Sequence, residues 1–372
     1  MHKGLRLLLP TILGLSLWTG AQDETQTVRL SQAQLPMPQA ILSSSDHRQD
    51  VQIFRGAVRP RQEVTFRKGD KEQALSIAGQ NCSLLWDGLG IAGFSLKGPS
   101  GAPVRLTPNA TGGFATVPLQ LGQGRGYFVA FPAVIPYVQG PALGFRCGGV
   151  MQGGLDGVWV SLYDENGDGA YNLKDDGLRC GAQITGAAVF APLGKYLTTR
   201  SAVYELHSVK ADGSELTAAR CKDETAKLAV AFSAPAEQEA HLVLSGPELS
   251  FVAVLRGGQS QEYAVLPGSY RLAYGLVFDA ARKQVTGGVA GGDLKPVEAA
   301  KGRTSKFQVG GPFVLGIEAS LAGNRVMVEP VMQVRGSQGE GYYGLTISRA
   351  EAPAVNLSAG GKMFLLGRME YG

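Results

Sequence analysis

The chain contains few histidines and none of the common catalytic motifs. Four histidines occur among 372 residues, and His47, His207 and His241, which lie beyond the first ten residues, show no zinc-protease spacing. The sequence also lacks a Gly-x-Ser-x-Gly nucleophile motif, an aspartic-protease triplet and a phosphate-binding loop. These absences exclude the enzyme classes that such motifs identify. We therefore expect no catalytic site.

Charged side chains are also scarce. They make up 18% of the chain, against about 25% in a typical globular protein, and the formal net charge is only +4. The basic residues Arg59, Arg61, Arg67, Lys68 and Lys71 alternate with acidic ones, so they indicate a solvated face. Nucleic-acid binding requires a concentrated basic surface, and the sequence therefore argues against a nucleic-acid partner.

Long apolar runs are absent beyond the N-terminus. Lys3 and Arg6 precede the apolar run 7–18, and the small residues of 19–21 follow it. This arrangement predicts a signal peptide over 1–21, because the run is shorter than the roughly 20 residues that cross a bilayer. We expect an exported protein, periplasmic, cell-surface or extracellular, with no transmembrane segment after signal removal.

Cysteine is limited to four positions, namely Cys82, Cys147, Cys180 and Cys221. An even number in an exported chain predicts two disulfides, with three connectivities that sequence does not distinguish, and buried thiols are the alternative. A Cys147–Cys180 bond would hold together the two strands around the segment described next. None of the four has a partner two to four residues away, which disfavours a zinc site.

The most informative segment is residues 164–175, Asp-Glu-Asn-Gly-Asp-Gly-Ala-Tyr-Asn-Leu-Lys-Asp. Oxygen-bearing side chains occupy positions 1, 3, 5, 9 and 12 of a twelve-residue calcium loop, and glycine occupies position 6. Calcium requires about six to eight oxygen ligands, so the spacing predicts a calcium site. The predicted ligands are Asp164, Asn166, Asp168, the Ala170 carbonyl, Asn172 and Asp175. An ordinary turn rich in Asp, Asn and Gly is the alternative.

This segment resembles the single EF-hand or dockerin-type calcium loop of exported bacterial proteins, since Asn172 and Asp175 stand at positions 9 and 12. Its flanks differ from that pattern. Residues 158–163 are rich in β-branched and aromatic residues and predict a strand, whereas Gly177, Gly181 and Gly186 disfavour a helix after the loop. We carry over the ligand positions and not the partner-binding role of a dockerin.

Glycine is abundant, with 52 residues, about twice the usual ~7%. Together with many short alternating segments, this composition predicts a mainly β protein with tight turns. The segment 266–272, with Pro267, Gly268 and Tyr270, weakly resembles a hairpin of transthyretin-like sandwiches, and the C-terminal half resembles immunoglobulin-like sandwiches. That resemblance implies a sandwich fold for this half of the chain.

The predicted architecture is therefore multi-domain. An N-terminal β domain carrying the calcium loop is followed by one or two β-sandwich (Ig-like) units. The predicted divisions are a signal peptide at 1–21, a polar leader or linker at 22–50, the β domain at 51–222, a β-sandwich at 223–306 and an Ig-like β unit at 307–372.

Three functions fit this sequence. The first is an exported calcium-binding β-rich protein with a structural, surface-assembly or ligand-binding role, whose partner is an unidentified surface component or glycan. The second is a calcium-stabilised secreted hydrolase acting on glycans or peptides, for which Asp87 and Asp156 are weak acidic candidates. The third is a module that docks onto a partner through the face of the loop. We favour the first of the three.

Overall fold

The structure is a computed structural model. It describes residues 25–35, 41–42, 62–67, 69–88, 93–99, 102–106, 116–120, 126–137, 140–173, 175–184, 188–222, 225–281, 284–322, 325–343, 354–359 and 362–368. The predicted signal peptide lies outside these residues, as do His47, Arg59, Arg61 and Lys68. Within the described ranges the secondary structure is β, without an α-helix, and the mainly β class is confirmed. No described helix is long and apolar enough to cross a membrane.

The N-terminal part of the chain forms short strands in several small sheets. They are β1 (Thr25–Arg29), β2 (Ser31–Gln34), β3 (Ile41–Leu42), β4 (Gln62–Thr65), β5 (Glu72–Ile77), β6 (Gln80–Trp86), β7 (Phe94–Lys97), β8 (Val104–Arg105), β9 (Val117–Gln120), β10 (Gly126–Tyr137) and β11 (Gly140–Cys147). β5 to β8 form a four-stranded meander, and a second sheet has the order β4-β11-β10-β9.

The strands around the predicted calcium loop follow. They are β12 (Gly149–Leu155), β13 (Val158–Tyr163), β14 (Gly177–Gly181), β15 (Ala188–Val189), β16 (Ala191–Pro192), β17 (Tyr196–Thr198), β18 (Val203–Val209) and β19 (Glu215–Arg220). One sheet has the order β16-β14-β13-β12-β2 and another β1-β19-β18-β17, while β3 pairs with β15. β1 and β2 fall in the segment predicted as leader or linker. They are ordered there because each pairs with a later strand, β19 and β12.

The last strands are longer. They are β20 (Ala226–Ser233), β21 (Gln238–Ser245), β22 (Ser250–Arg256), β23 (Gln259–Val265), β24 (Gly268–Asp279), β25 (Gln284–Ala290), β26 (Val297–Ala299), β27 (Thr304–Gly310), β28 (Val314–Ala322), β29 (Arg325–Arg335), β30 (Gly341–Tyr343), β31 (Ala354–Ala359) and β32 (Lys362–Arg368). β20 shows why such segments are strands, because every second residue from Ala226 to Phe232 is buried.

Two sheets share the core of residues 225–343. One has the order β23-β20-β27, with β20 and β27 parallel, and the other runs from β22 through β21, β24, β25, β30 and β29 to β28. Phe232 and Phe307 from the first sheet and Leu242 and Tyr270 from the second are buried in one cluster. Pairing of β25 with β30 connects the segments that were predicted as separate units at 223–306 and 307–372.

We call residues 25–222 the first region and residues 225–343 the second region. Two hydrophobic clusters of the described residues lie wholly within the first region, and a smaller one, which includes Val189 and Val243, is shared with the second region. Cluster A includes Phe66, Phe94, Phe145, Tyr163 and Phe190, and cluster B includes Val160, Leu162, Tyr171, Tyr204 and Leu216. β13 contributes to both clusters because its alternate residues point to opposite faces of the sheet.

The predicted disulfides are absent, since no disulfide joins any of the four cysteines. The physical reason lies in their surroundings. Cys180 packs against cluster B and Cys221 against the core of the second region, so that only Cys82 and Cys147, both in cluster A, share a cluster. The Cys147 thiol donates to the Gly149 carbonyl at 3.3 Å instead of meeting Cys180.

Candidate functional site

The predicted calcium loop connects two neighbouring strands of one sheet. β13 ends at Tyr163, β14 begins at Gly177, and residues 159–163 of β13 pair antiparallel with the whole of β14. The strand predicted over 158–163 is therefore confirmed, and the loop leads into a strand and not into a helix. We call residues 164–176 the acidic loop.

Hydrogen bonds from the backbone fold the first half of the acidic loop around its side chains. The Asp164 carboxylate accepts from the amides of Gly167 (2.7 Å) and Gly169 (2.8 Å). The Asn166 side-chain oxygen accepts from the Asp168 amide at 2.9 Å, and Asp168 accepts from the Ala170 amide at 2.7 Å. Asp164, Asn166 and Asp168, at positions 1, 3 and 5 of the predicted site, thus each accept a hydrogen bond from a backbone amide of the loop.

The second half of the loop differs from the spacing that the sequence suggested. Asp175, the predicted ligand at position 12, is exposed, and its amide donates to the Asn172 side-chain oxygen at 3.3 Å. The next residue, Asp176, is buried instead. Its carboxylate accepts from the amides of Glu165 (3.1 Å) and Asn172 (2.7 Å), and so it closes the loop onto its own beginning.

Glycine at position 6 is required by a close contact. Gly169 has φ of +78°, and a Cβ atom placed on it would lie 2.6 Å from the Cβ of Ala78. Ala78 lies in the turn between β5 and β6, and its amide donates to the Gly167 carbonyl at 3.0 Å. The acidic loop therefore packs directly against the β5–β6 turn.

A second hairpin contacts the loop from the other side. The amide of Tyr171 donates to the Ala211 carbonyl at 2.8 Å, in the turn between β18 and β19. The Tyr171 ring is buried in cluster B. Gly213 of the same turn lies against this ring, where a Cβ would come within 2.5 Å of it.

A buried polar network links the loop to the sheet of β10 and β11. The Tyr127 hydroxyl donates to Asp164 at 2.8 Å. The Tyr163 hydroxyl donates to the Cys147 carbonyl at 3.1 Å and accepts from Nε of Arg146 at 2.8 Å. Arg146 is only 2% exposed, and its guanidinium also lies 5.5 Å from the centre of the Tyr163 ring.

Burial strongly affects the ionisation of these groups. It raises the pKa of Asp164, although hydrogen bonds from Tyr127, Gly169 and Gly167 partly oppose the change. Burial also raises the pKa of Asp176 to about 7, and the negative charge of Asp164 contributes to that increase. Cys147 has a pKa of about 12, mainly because of burial, so its thiol stays protonated and unreactive at neutral pH.

The oxygen atoms of the acidic loop suit a hard cation, because calcium prefers carboxylate, amide and carbonyl oxygens. Asp164, Asn166 and Asp168 lie together, and the buried carboxylate on the far side is that of Asp176. No group of three or more His, Cys, Asp or Glu side chains in the described part of the chain stands close enough together to hold a metal ion. The donor chemistry therefore fits calcium, whereas the complete shell is not assembled.

The other candidates from the sequence are separated from this loop. His207 is exposed on β18, and His241 is buried on β21. Asp87 forms an ion pair with Arg105 at 3.4 Å, and Asp156 accepts a hydrogen bond from the Tyr204 hydroxyl. Asp156 lies in the turn between β12 and β13, and Asp87 directly follows β6.

Sequence reasoning missed Tyr127 and Asp176. Tyr127 lies 37 positions before its partner Asp164, and no local pattern identifies such a contact. Asp176 could have been found, since two consecutive aspartates end the motif and either one can turn inward.

Comparison with protein-family models, with curated proteins and with solved structures finds no match to this chain.

Proposed function

We propose that this chain is an exported calcium-binding β-rich protein, in which an ion bound by the acidic loop stabilises the first region. One observation carries the proposal. Asp164 and Asp176 place two buried carboxylates in the acidic loop, and Asp176 accepts from the amide of Glu165, the residue next to Asp164. Buried like charges are costly unless a proton or a cation compensates them, and a divalent cation compensates both.

The residues that would hold the ion are Asp164, Asn166 and Asp168 in the first half of the loop, with the Ala170 carbonyl and Asn172. We propose Asp176 as the carboxylate from the far side, because it is buried and the predicted ligand Asp175 is exposed. A bound calcium ion would supply positive charge at this point and no redox chemistry.

The contacts of the loop explain what an ion would stabilise. The acidic loop joins β13 and β14, packs on the β5–β6 turn through Gly169 and on the β18–β19 turn through Tyr171, and binds β10 through Tyr127. Fixing this one loop would therefore hold four parts of the first region together. An ion that binds only the folded state at a hundred times its Kd stabilises that state by about 2.7 kcal/mol.

A structural or ligand-binding role at the cell surface follows from the same proposal. Calcium is abundant outside cells, so even a weak site would be filled after export. We further propose that the sheets of the second region form an immunoglobulin-like sandwich, with an unidentified surface component or glycan as partner. Neither the contacts of Asp87 nor those of Asp156 favour the hydrolase alternative.

The test is to measure the Tm of the unaltered protein and of the Asp168→Asn variant, each in calcium and in excess chelator. Asp168 is exposed and accepts from the Ala170 amide, and asparagine keeps an oxygen for that bond while removing the charge. We expect calcium to raise the Tm of the unaltered protein by several degrees and Asp168→Asn to lose most of that rise.

The matched control is Asp279→Asn, because Asp279 caps a turn of the second region by accepting from the Ala281 amide at 2.9 Å. It should keep the full response to calcium. A Tm that is equal in calcium and chelator for the unaltered protein would refute the proposal, and the loop would then be an ordinary turn. A Tm that rises with magnesium but not with calcium would identify the ion as magnesium.

A further inference from the structure

A buried arginine and a buried histidine connect the first region to the second. Arg179 lies on β14 and is 5% exposed, and His241 lies on β21 and is 3% exposed. Nη1 of Arg179 is 3.4 Å from Nδ1 of His241, and Nε2 of His241 is 2.9 Å from Oε1 of Glu239. The three side chains form a row that starts in one region and ends in the other.

The chemistry of the row determines where the histidine proton lies. A guanidinium group can only donate hydrogen bonds, so the contact with Arg179 requires Nδ1 of His241 to be an acceptor. The proton must then be on Nε2, from which it is donated to the Glu239 carboxylate. The contact between the two regions therefore requires a neutral imidazole.

Protonation of Nδ1 would reverse this arrangement. The nitrogen would become a donor that faces another donor, and a buried imidazolium would stand beside a buried guanidinium. We propose that the Arg179–His241 contact is an acid-sensitive latch between the first and second regions, closed while His241 is neutral and released when Nδ1 takes up a proton.

Among the other groups around His241, some favour its protonated form and others favour its neutral form. Glu239 on the same strand favours the protonated form, and Nε of Arg256 on β22 lies 3.9 Å from Oε2 of Glu239. On β24, the Phe278 ring packs edge-on at 4.7 Å and carries no charge. Burial and the charge of Arg179 outweigh Glu239, so the pKa of His241 is lowered to about 4. Burial likewise lowers the pKa of Arg179 to about 10, which keeps it charged.

These values determine the direction and the range of the response. His241 has a folded pKa of about 4, below the value of about 6.5 for an exposed histidine. The closed latch is therefore fully favoured above about pH 6.5, loses stability as the pH falls toward 4, and loses no more below that.

Three further hydrogen bonds join the two regions through hydroxyl and backbone groups, which do not titrate between pH 4 and pH 7. The Thr198 hydroxyl donates to the Ala264 carbonyl at 2.7 Å, the Ala264 amide donates to the Arg200 carbonyl at 2.6 Å, and the Tyr274 hydroxyl donates to the Phe190 carbonyl at 2.6 Å. Release of the latch should consequently loosen β14 and β21 within their own sheets, so that their amides exchange more often, while these three hydrogen bonds still join the two regions.

Hydrogen exchange of the purified protein tests the latch. Protection factors, corrected for the intrinsic effect of pH, are measured for amides of β14 and β21 at pH 7 and pH 5. The two pKa values predict a loss of protection of about twentyfold between these conditions. His241→Asn keeps an oxygen near the position of Nδ1 and cannot be protonated, so its protection should not fall.

The control is His207→Asn, which removes an exposed histidine of the first region and should behave like the unaltered protein. Because Asp176 also titrates in this range, the difference between the unaltered protein and His241→Asn isolates the histidine. An equal loss of protection in His241→Asn would overturn the proposal.

A second measurement does not depend on a variant that folds. The ring signals of His241 in the unaltered protein are followed by NMR between pH 7.5 and 3.5. We expect a midpoint near 4, accompanied by the loss of protection in β14 and β21. A midpoint near 6.5, or titration without any loss of protection, would contradict the latch.

Discussion

The two regions of the molecule place their polar side chains differently. In the first region, nine polar or charged side chains are buried, namely Arg146, Gln152, Ser161, Asp164, Glu165, Asp176, Arg179, Thr198 and Thr199. In the second region, the described part of the chain buries only His241 and Glu340. The first region therefore buries a polar loop and further polar side chains beside its apolar clusters, whereas the core of the second region is almost wholly apolar.

We expect the two regions to respond differently to ions and to pH. The core of the second region depends on packing, which does not respond to ions or to moderate changes of pH. Glu340, its one fully buried carboxylate, is satisfied by the amides of Gly310 and Gln338 and by the Tyr342 hydroxyl. The acidic loop instead contains the buried carboxylates of Asp164 and Asp176, whose pKa values are raised by burial. We expect the first region to be conditionally stable and the second to be stable by itself.

The largest expected effect is the removal of a core side chain from the second region. Phe307 is fully buried on β27, and Phe307→Ala should reduce the free energy of unfolding by about 3–5 kcal/mol. The loss should be the same in calcium and in chelator, because Phe307 packs in the core of the second region and not in cluster A or B, which flank the acidic loop. Urea denaturation under both conditions measures it.

The control for that prediction is Phe313→Ala, in which the removed side chain is 42% exposed. It should cost far less, about 1 kcal/mol, because little apolar surface is uncovered and only an edge contact with Tyr342 is lost. If chelator changed the cost of Phe307→Ala, the two regions would not be independent in the way that the comparison implies.

The sequence predicted the features that depend on local periodicity. Short alternating segments indicated a mainly β chain, and the β-branched and aromatic residues of 158–163 identified the strand that precedes the loop. These predictions were correct because a strand or a turn depends on residues a few positions apart.

The features that the sequence did not predict involve distant residues. The pairing of β1 with β19 orders a segment that composition alone suggested was a linker, and the parallel pairing of β20 with β27 brings together residues 77 positions apart, such as Lys227 and Thr304. The number and spacing of the cysteines did not reveal which hydrophobic cluster each cysteine contacts. Tertiary packing decided these points, and it is not encoded in any short window of sequence.

Substituting the two aspartates at the end of the acidic loop one at a time tests which of them supports calcium binding. Asp176→Asn should abolish most of the stabilisation by calcium and also cost about 1–3 kcal/mol in chelator, because Asp176 is buried and holds two amides. Asp175→Asn, at an exposed position, should retain most of the calcium response. Calcium titration followed by calorimetry distinguishes them. The reverse result would restore Asp175 as the ligand at position 12.

The smallest effect concerns the link between the acidic loop and β10. Tyr127→Phe removes the hydroxyl that donates to Asp164 but keeps the ring, and the Gly169 amide still donates to the same carboxylate oxygen. We expect the free energy of unfolding in chelator to fall by about 1 kcal/mol, the typical net contribution of one hydrogen bond. The loss should be no larger in calcium, since an ion would compensate the charge that the hydroxyl now stabilises.

The matched control is Tyr204→Phe, which removes a hydroxyl bonded to Asp156 in a turn outside the loop and should show the same loss in both conditions. A loss in Tyr127→Phe that grows when calcium is added would mean that the hydroxyl positions Asp164 for the ion, and that the first region depends on β10 more than on the loop alone.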